Sequence, residues 1–165
     1  MPEPTEPRAN RPWMFGGRPE PVLLLWAWAA HRLTIARNYW IATTRLDDRP
    51  HSRPVWGVWL DGAFYFSTGS IAAESLPERP EITVHLESGN EVVIIEGRAR
   101  LVDERPLIVR IVDAYNPKYH WDLDPDELPG PFYEVRPRVA FGWISDESGL
   151  DGGAAFHGSA TRWQF

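Results

Sequence analysis

The feature that most constrains the fold is a run of short segments, between residues 39 and 67, in which the pattern of apolar residues has a period of two. The three segments are Tyr39–Arg45, His51–Leu60 and Ala63–Ser67. Alternation with a period of two is typical of strands that bury one face. The turn between the last two segments is Asp61-Gly62, a strong signal for a two-residue hairpin. Pro54 predicts an edge position or a bulge in the second strand, because proline cannot donate to a sheet.

Similar patterns continue along the chain. A hairpin is predicted across Ser88-Gly89-Asn90, and the last two strands are predicted at Phe132–Ser145 and Thr161–Phe165. Helical spacing of apolar residues predicts helices at about residues 22–37, at Ser70–Leu76 and at Arg105–Tyr115. Six to seven mostly antiparallel strands with two or three flanking helices predict a mainly β (α+β) fold, a closed or partly closed barrel.

The first 21 residues differ from the rest in composition. They contain six prolines, which leave no regular element, so the sequence predicts a Pro-rich N-terminal arm over residues 1–21. Trp13, Met14 and Phe15 form an aromatic cluster in this arm that could dock on the body or on a partner subunit. Residues 22–165 are predicted to form a single domain, since domains typically contain about 100–150 residues.

Charge and composition exclude several classes of function. A formal net charge of -6 argues against nucleic acid as a partner, because phosphate binding requires clustered Lys and Arg. The chain has no cysteine and therefore no disulfide or thiol nucleophile. The apolar run Pro21–Ala30 is too short to span a membrane, and the segment before it lacks the net positive charge of an export signal. We therefore expect a cytoplasmic protein without membrane contact.

Five segments carry a resemblance to a known family: Trp40–Arg45, Arg49–Trp56, Asp61–Ser70, Glu91–Gly97 and Thr161–Phe165. They resemble the FMN-binding split β-barrel superfamily, the pyridoxamine 5'-phosphate oxidase-like proteins that include the deazaflavin-dependent oxidoreductases. The resemblance implies a split β-barrel and an obligate homodimer with two interfacial cofactor sites. It also implies hydride transfer to or from a small organic substrate, with FMN or the deazaflavin coenzyme F-420 as cofactor. No catalytic side chain is identified, since in such enzymes the protein mainly orients the ring and shields it.

The resemblance also assigns cofactor-binding residues. One group lies on the second strand and one in the turn after the third strand; they are His51, Ser52, Pro54, Val55, Trp56, Ser67, Thr68, Gly69 and Ser70. The turn offers hydroxyls, a flexible glycine and free N–H groups at a helix start, a combination suited to an anion. The alternative is that Ser70 simply caps the helix. Trp56 is the side chain we expect to wall a planar ligand.

The sequence departs from the family pattern directly after this turn. The family segment reads roughly Ser-Arg-Lys-x-Arg-Asn-Leu, whereas here Ile71, Ala72 and Glu74 occupy the three cationic positions. Each lost charge-assisted contact to a phosphate removes about 1–3 kcal/mol. We expect these three positions to be at least partly exposed, because Ile71 and Ala72 precede a helix face anchored by Leu76, so that cations could be restored. The departure leaves an alternative open, a cofactor-less split-barrel dimer that serves as a ligand-binding or structural protein.

The resemblance also implies a substrate pocket after the second long helix, where Lys118, Tyr119 and Trp121 follow one another closely. The alternative for Lys118 is a surface lysine beside packed aromatic rings. The acidic stretch from Asp122 to Glu127 superficially resembles a calcium loop. It has Glu127 where such a loop needs glycine and Tyr133 where it needs glutamate, so no metal site is predicted.

Overall fold

The computed structural model describes residues 6–13 and 20–165 and contains, within them, nine strands and four helices. The strands are β1 Arg8–Asn10, β2 Tyr39–Thr44, β3 Pro50–Val55, β4 Gly57–Leu60, β5 Ala63–Ser67, β6 Glu81–His85, β7 Glu91–Leu101, β8 Phe132–Ile144 and β9 Thr161–Gln164. The helices are α1 Trp26–Ile35, α2 Ile71–Ser75, α3 Arg105–Tyr119 and α4 Ala154–Ser159. No helix in these described ranges has the length and apolar character needed to cross a bilayer.

All strand pairs are antiparallel. The sheet runs in the order β1-β9-β8-β7-β6-β2-β3, and β5 adds the β4–β5 hairpin to β8. The β7–β8 ladder extends from Glu91 opposite Ile144 to Leu101 opposite Tyr133, with an irregularity at Glu96/Gly97. In the part of the chain that is described, β3 and β4 are consecutive but do not pair, so the barrel is open between them. The predicted mainly β, split-barrel architecture is confirmed.

The core follows from strand alternation. On β2, Tyr39, Ile41 and Thr43 are buried, and the residues between them are only partly buried. The interior contains a continuous aromatic and aliphatic cluster, whose largest members are Trp163, Tyr39, Phe64, Phe66, Leu33, Ile41 and Ile95. A second cluster forms where Ile111 and Val112 of α3 pack against Val58, Tyr65 and Phe132 of the sheet. α3 therefore covers the β4–β5–β8 side of the sheet.

The N-terminal arm differs from its prediction. Arg8–Asn10 forms a strand on β9, with Ala9 opposite Trp163 and the Asn10 side-chain amide donating to Gln164 Oε1 at 2.9 Å. The expectation that no regular element survives the prolines is therefore wrong for these three residues, which lie between Pro7 and Pro12. Trp13 is 82% exposed, and the Met14 and Phe15 part of the predicted aromatic cluster lies outside the described residues.

Helix and strand boundaries also shift where tertiary contacts outweigh local pattern. α1 begins at Trp26 rather than at 22, because the extended segment before it bonds elsewhere: Val22 N donates to Gly158 O and Leu24 N to Thr161 Oγ1, both at 2.8 Å. The predicted second strand is divided at Trp56 into β3 and β4. No sequence pattern predicts α4, which lies in the connection between the last two predicted strands, directly after Gly152 and Gly153.

Candidate functional site

An open cavity of about 310 Å³ lies between the end of β5, the second half of α3 and residues 120–131, here called the α3–β8 loop. Its apolar wall is formed by aromatic and aliphatic side chains, chiefly Tyr115, Trp121, Leu123, Leu128 and Phe132. Its polar edge is formed by Ser67, Thr68, Gly69 and Gly130. A cleft of this size, mainly apolar with a few convergent polar groups, has the character of a small-molecule site.

The α3–β8 loop is fixed by side-chain contacts. His120 ends α3 with a left-handed φ of 53°, which reverses the chain direction. The Asn116 side chain then bonds Leu123 twice, donating to its carbonyl oxygen at 3.1 Å and accepting from its amide at 2.9 Å. Further along, Arg105 donates to both carboxylate oxygens of Asp126, at 2.7 and 2.8 Å. These contacts hold the cavity wall in place without a ligand.

The turn Ser67–Ser70 lies at the rim of the cavity. Thr68 Oγ1 and Ser70 Oγ are 2.8 Å apart, and Ser70 Oγ accepts from Ala72 N at 3.2 Å. Ser70 is thus the N-cap of α2, as in the simpler of the two predicted roles. Ser67, Thr68 and Gly69 line the cavity, so three of the four predicted turn residues are brought to it.

The segment that follows the turn has no cationic side chain. Glu74 is exposed and Ile71 partly buried, but Ala72 is completely buried in the core cluster with Leu76. The expectation that all three positions are at least partly exposed is therefore wrong for Ala72. Helical spacing places Ala72 on the same inward face of α2 as Ser75, and a lysine there would not fit.

The predicted residues of β3 are divided between two faces of the sheet. His51 and Val55 lie opposite Thr43 and Tyr39 on the core-facing side, whereas Ser52 and Pro54 are exposed on the other side. Trp56 follows the strand and stacks on Tyr119, with ring centroids 4.6 Å apart and an interplanar angle of 8°. Trp121 meets the same Trp56 ring edge-on at 5.5 Å. Trp56 therefore lies behind Trp121 and outside the cavity wall.

Three polar atoms on the core-facing side of the β2–β3 hairpin are buried without a hydrogen-bond partner. They are Thr43 Oγ1, His51 Nε2 and Arg53 Nε. Thr43 is directly opposite His51 in the strand register, and Arg53 is two residues further along the same face. Arg53 was missed by the sequence reasoning, although the period-two alternation of β3 places it on the same side as His51. Buried polar groups normally have partners, so this hairpin has bonding capacity that the protein alone does not use.

The three predicted pocket residues have different environments. Trp121 lines the cavity and is 53% exposed. Tyr119 is buried; its hydroxyl accepts from Gly57 N at 2.9 Å and lies 2.7 Å from the carbonyl oxygens of Arg37 and Gly57. Lys118 Nζ donates to Tyr39 Oη at 2.9 Å and to Gly57 O at 2.8 Å. Burial, reinforced by the nearby charge of Arg37, lowers the pKa of Lys118 to about 8.

An open antiparallel barrel with helices on its flanks is the architecture of the split β-barrel class. The family model described as pyridoxamine 5'-phosphate oxidase matches residues 30–148, most of the chain. The chain belongs to this family.

Solved structures agree at the level of the fold. A conserved hypothetical protein from Mycobacterium tuberculosis superposes with a TM-score of 0.67 at 21% identity, over 82% of this chain and 94% of that one. The General Stress Protein 26 from Bacillus anthracis gives 0.60 at 19% identity, over 70% and 91% of the two chains. An FAD-binding protein from Mesorhizobium loti gives 0.55 at 14% identity, over 86% and 96%. No curated protein sequence matches the chain.

Proposed function

We propose that this protein is a flavin- or deazaflavin-dependent oxidoreductase that acts by hydride transfer on a small organic molecule. Family membership supports the class, and the observation that carries the proposal is the set of orphaned donors and acceptors on the β2–β3 hairpin. That hairpin contains the strand which the family resemblance assigns to the cofactor. A bound group that accepts from Arg53 and His51 would remove the cost of leaving buried polar atoms unpaired, about 1–3 kcal/mol each.

The residues present fit a flavin-type group in part. His51, Arg53 and Thr43 would bond its polar atoms, and Ser67 with Gly69 would border it at the cavity rim. The group itself, FMN or the deazaflavin F-420, supplies the site that accepts or donates hydride. The protein binds and orients the ring, and the Trp121 and Phe132 side chains exclude water from the adjoining cavity. At Ile71–Glu74 the fit is poorer, since no cation follows the turn.

A second function has its own supporting observation. The Thr68 and Ser70 hydroxyls bond each other at 2.8 Å, and Ser70 is further occupied as a helix cap, so two of the turn hydroxyls are already satisfied. Combined with Glu74 in place of a cation, this favours a split barrel that binds a ligand without a flavin, or that has a structural role. Cofactor titration separates the two functions.

We also propose that the protein acts in the cytoplasm as a homodimer, with two sites at the interface. The support is an apolar row on the outer sheet face, in which Pro54, Trp40, His85, Ile94 and Phe141 are successive cross-strand neighbours. Apart from Pro54, which is exposed, these side chains are only partly buried. Burying such a face on a second copy would place Pro54 and Ser52, which lie on the same side of β3, at the subunit boundary.

The test of the proposed function is titration of the purified protein with FMN and with F-420, followed by isothermal calorimetry and visible absorbance. Saturable binding of either cofactor, weakened at least tenfold by Arg53→Gln, supports the oxidoreductase. The control Arg11→Gln removes the same charge in the N-terminal segment, outside the β2–β3 hairpin, and keeps wild-type affinity. Absence of binding for both cofactors overturns the proposal in favour of the cofactor-less function. Sedimentation at micromolar concentration tests the dimer, and a mass near 18.9 kDa contradicts it.

A further inference from the structure

The wall of the cavity between β5, α3 and the α3–β8 loop has no charged side chain among the described residues. Its lining consists of aromatic, leucine and proline side chains with two hydroxyl-bearing residues and two glycines at the edge. An ionised group placed inside such a wall would lose its hydration and find no opposite charge to replace it. The interior therefore favours an uncharged ligand.

The loop over the cavity adds a second selection against anions. It contains four carboxylates, at Asp122, Asp124, Asp126 and Glu127. Asp126 is paired with Arg105, but none of the arginines or the lysine in the described ranges forms an ion pair with the other three. An anion that approaches the mouth meets this negative field, which reduces its local concentration and its affinity.

The dimensions of the cavity indicate the size of the ligand. An apolar cavity of about 150 Å³ accommodates one benzene ring. The volume here is about 310 Å³, which corresponds to a fused two-ring compound. Tyr115 and Phe132 meet in a T-shaped pair with centroids 5.8 Å apart, and together with Trp121 they offer ring faces and edges to a planar guest.

One edge of the cavity can bond a polar substituent. The Ser67 hydroxyl lies there, and Gly130 faces it from the α3–β8 loop. A Cβ added at Gly130 would lie 3.5 Å from Ser67 Oγ, so the glycine leaves room for the ligand just above this hydroxyl. A ring hydroxyl or carbonyl oriented to this edge would gain a hydrogen bond, while the rest of the ring remains in the apolar part.

We propose that this cavity binds uncharged, planar, two-ring aromatic compounds that carry one hydroxyl or carbonyl group, and that it rejects their phosphorylated and carboxylated analogues. For the oxidoreductase proposed above, these compounds are the substrate class. Their role as substrates rests on that proposed function, whereas the binding preference does not. It also separates the chain from an enzyme whose substrate carries a phosphate, since no cation is available in the wall to bind one.

The experiment measures calorimetric binding of 2-naphthol, 2-naphthoate and 2-naphthyl phosphate to the full chain without added cofactor. We expect 2-naphthol to bind at least tenfold more tightly than either anion. Leu128→Arg, which places a cation in the wall, is expected to reverse this order. The same change at Leu150, which is 91% exposed and outside the cavity, is the matched control and leaves the order intact. Equal affinity for the neutral and anionic compounds overturns the proposal.

A second variant tests whether 2-naphthol binds in this cavity. Gly130→Leu fills the cavity above Ser67 and is expected to abolish 2-naphthol binding, whereas Gly89→Leu in the β6–β7 turn has open space around it and keeps binding. Thermal melting verifies that both variants are folded, and unchanged 2-naphthol affinity in folded Gly130→Leu also overturns the proposal. The flavin titration is independent: naphthol binding without cofactor binding rejects only the oxidoreductase, and cofactor binding without naphthol binding rejects only this inference.

Discussion

Lys118 Nζ lies 2.8 Å from the carbonyl oxygen of Gly57, the first residue of β4, and the chain has no second lysine. The ammonium group also contacts the ring faces of Tyr39 and Tyr119, at 4.7 and 5.3 Å from their centroids. No carboxylate in the described residues forms an ion pair with it; the nearby charge is that of Arg37. The Lys118 ammonium, held by the Gly57 carbonyl and by the side chains of Tyr39 and Tyr119, thus joins α3 to β2 and β4.

This arrangement predicts an unusual pH dependence of stability. The pKa of Lys118 is about 8 in the folded protein and 10.5 in the reference state, so between these values the unfolded chain binds more protons. The free energy of unfolding should therefore rise from pH 8 to pH 10, by about 1–2 kcal/mol, because solvent around this partly buried group screens part of the effect. Above pH 10 the trend should reverse, because burial raises the pKa of Tyr119 to about 12 and unfolded tyrosines ionise first. Urea unfolding of wild type and Lys118→Met checks this: a rise of equal size in the variant would contradict the assignment.

Tyr119→Phe should destabilise the fold more than its single oxygen suggests. The Gly57 amide donates to the Tyr119 hydroxyl, and removal of that oxygen leaves a buried N–H without a partner. We expect a loss of about 1–3 kcal/mol in the free energy of unfolding. Tyr115→Phe, one helical turn earlier, is the control and should cost less, since its hydroxyl is not placed against β4. Equal losses in the two variants would show that the Tyr119 hydroxyl contributes no specific bond.

Glu134 should be important for stability because it is a buried carboxylate on β8. Its side chain is 5% exposed; Tyr65 donates to Oε1 and Arg100 to Oε2, both at 2.9 Å, and Arg136 contacts Oε1. Burial opposes its ionisation, but these donors hold its pKa below the ordinary value. Glu134→Gln is expected to cost about 1–3 kcal/mol. Glu81→Gln, which breaks exposed pairs with Arg98 and Arg138, should cost less than about 1 kcal/mol. Chemical denaturation of both variants compares them directly.

Restoring positive charge after the Ser67–Ser70 turn should strengthen binding of a phosphorylated flavin. Because Ala72 is fully buried, the change is limited to Ile71→Arg with Glu74→Arg. We expect a gain of about ten- to a thousandfold in affinity, which decreases as salt is raised. Glu78→Arg makes, beyond the end of α2, the same charge change as Glu74→Arg alone, and it is the control for that single variant. A salt-insensitive gain, or the same gain from Glu78→Arg, would place the anion elsewhere.

Gly97→Ala tests the irregularity in the central ladder. A Cβ at this position would lie 2.4 Å from the backbone oxygen of Arg136, which cannot move aside without breaking β7–β8 pairing. We expect one of the largest single losses in the chain, of about 2–4 kcal/mol. Thermal and urea unfolding report it, and Gly89→Ala, in open space, should remain near wild type. A near-neutral Gly97→Ala would mean that the ladder can shift its register locally.

The strand framework could be predicted because its signals are local. Alternation indicates the strand Tyr39–Thr44, and the aromatic run Ala63–Ser67 beside the Asp61-Gly62 turn indicates the β4–β5 hairpin. The predictions that were wrong concern elements that depend on contacts between distant segments of the chain. β1 has only three residues and exists because β9 pairs with it, and α3 continues through Pro117 to Tyr119 because the last turn bonds Gly57 and Tyr39.

The Ser67–Ser70 turn of the candidate site could be predicted from the sequence, but the apolar wall of the cavity could not be predicted as well. Ser67, Thr68 and Gly69 were identified from hydroxyls before a helix, and Trp121 from its position after α3. Leu123 and Leu128 belong to an acidic loop whose composition suggests solvent exposure, and the Asn116–Leu123 bonds that bring them inward leave no sequence pattern. Similarly, Arg53 resembles any surface arginine until the register places it beside Ile41.

The pairing of β1 with β9 has a consequence for biosynthesis. The Asn10 and Gln164 side chains that bond across it are 154 positions apart, so β1 completes its ladder only after residues 161–164 have left the ribosome. Until then the segment that will hold β1 has no β9 to bind, and the fully buried Trp163 has yet to enter the core. The nascent barrel therefore exposes its interior and an unpaired β8 edge to aggregation until β9 has been made.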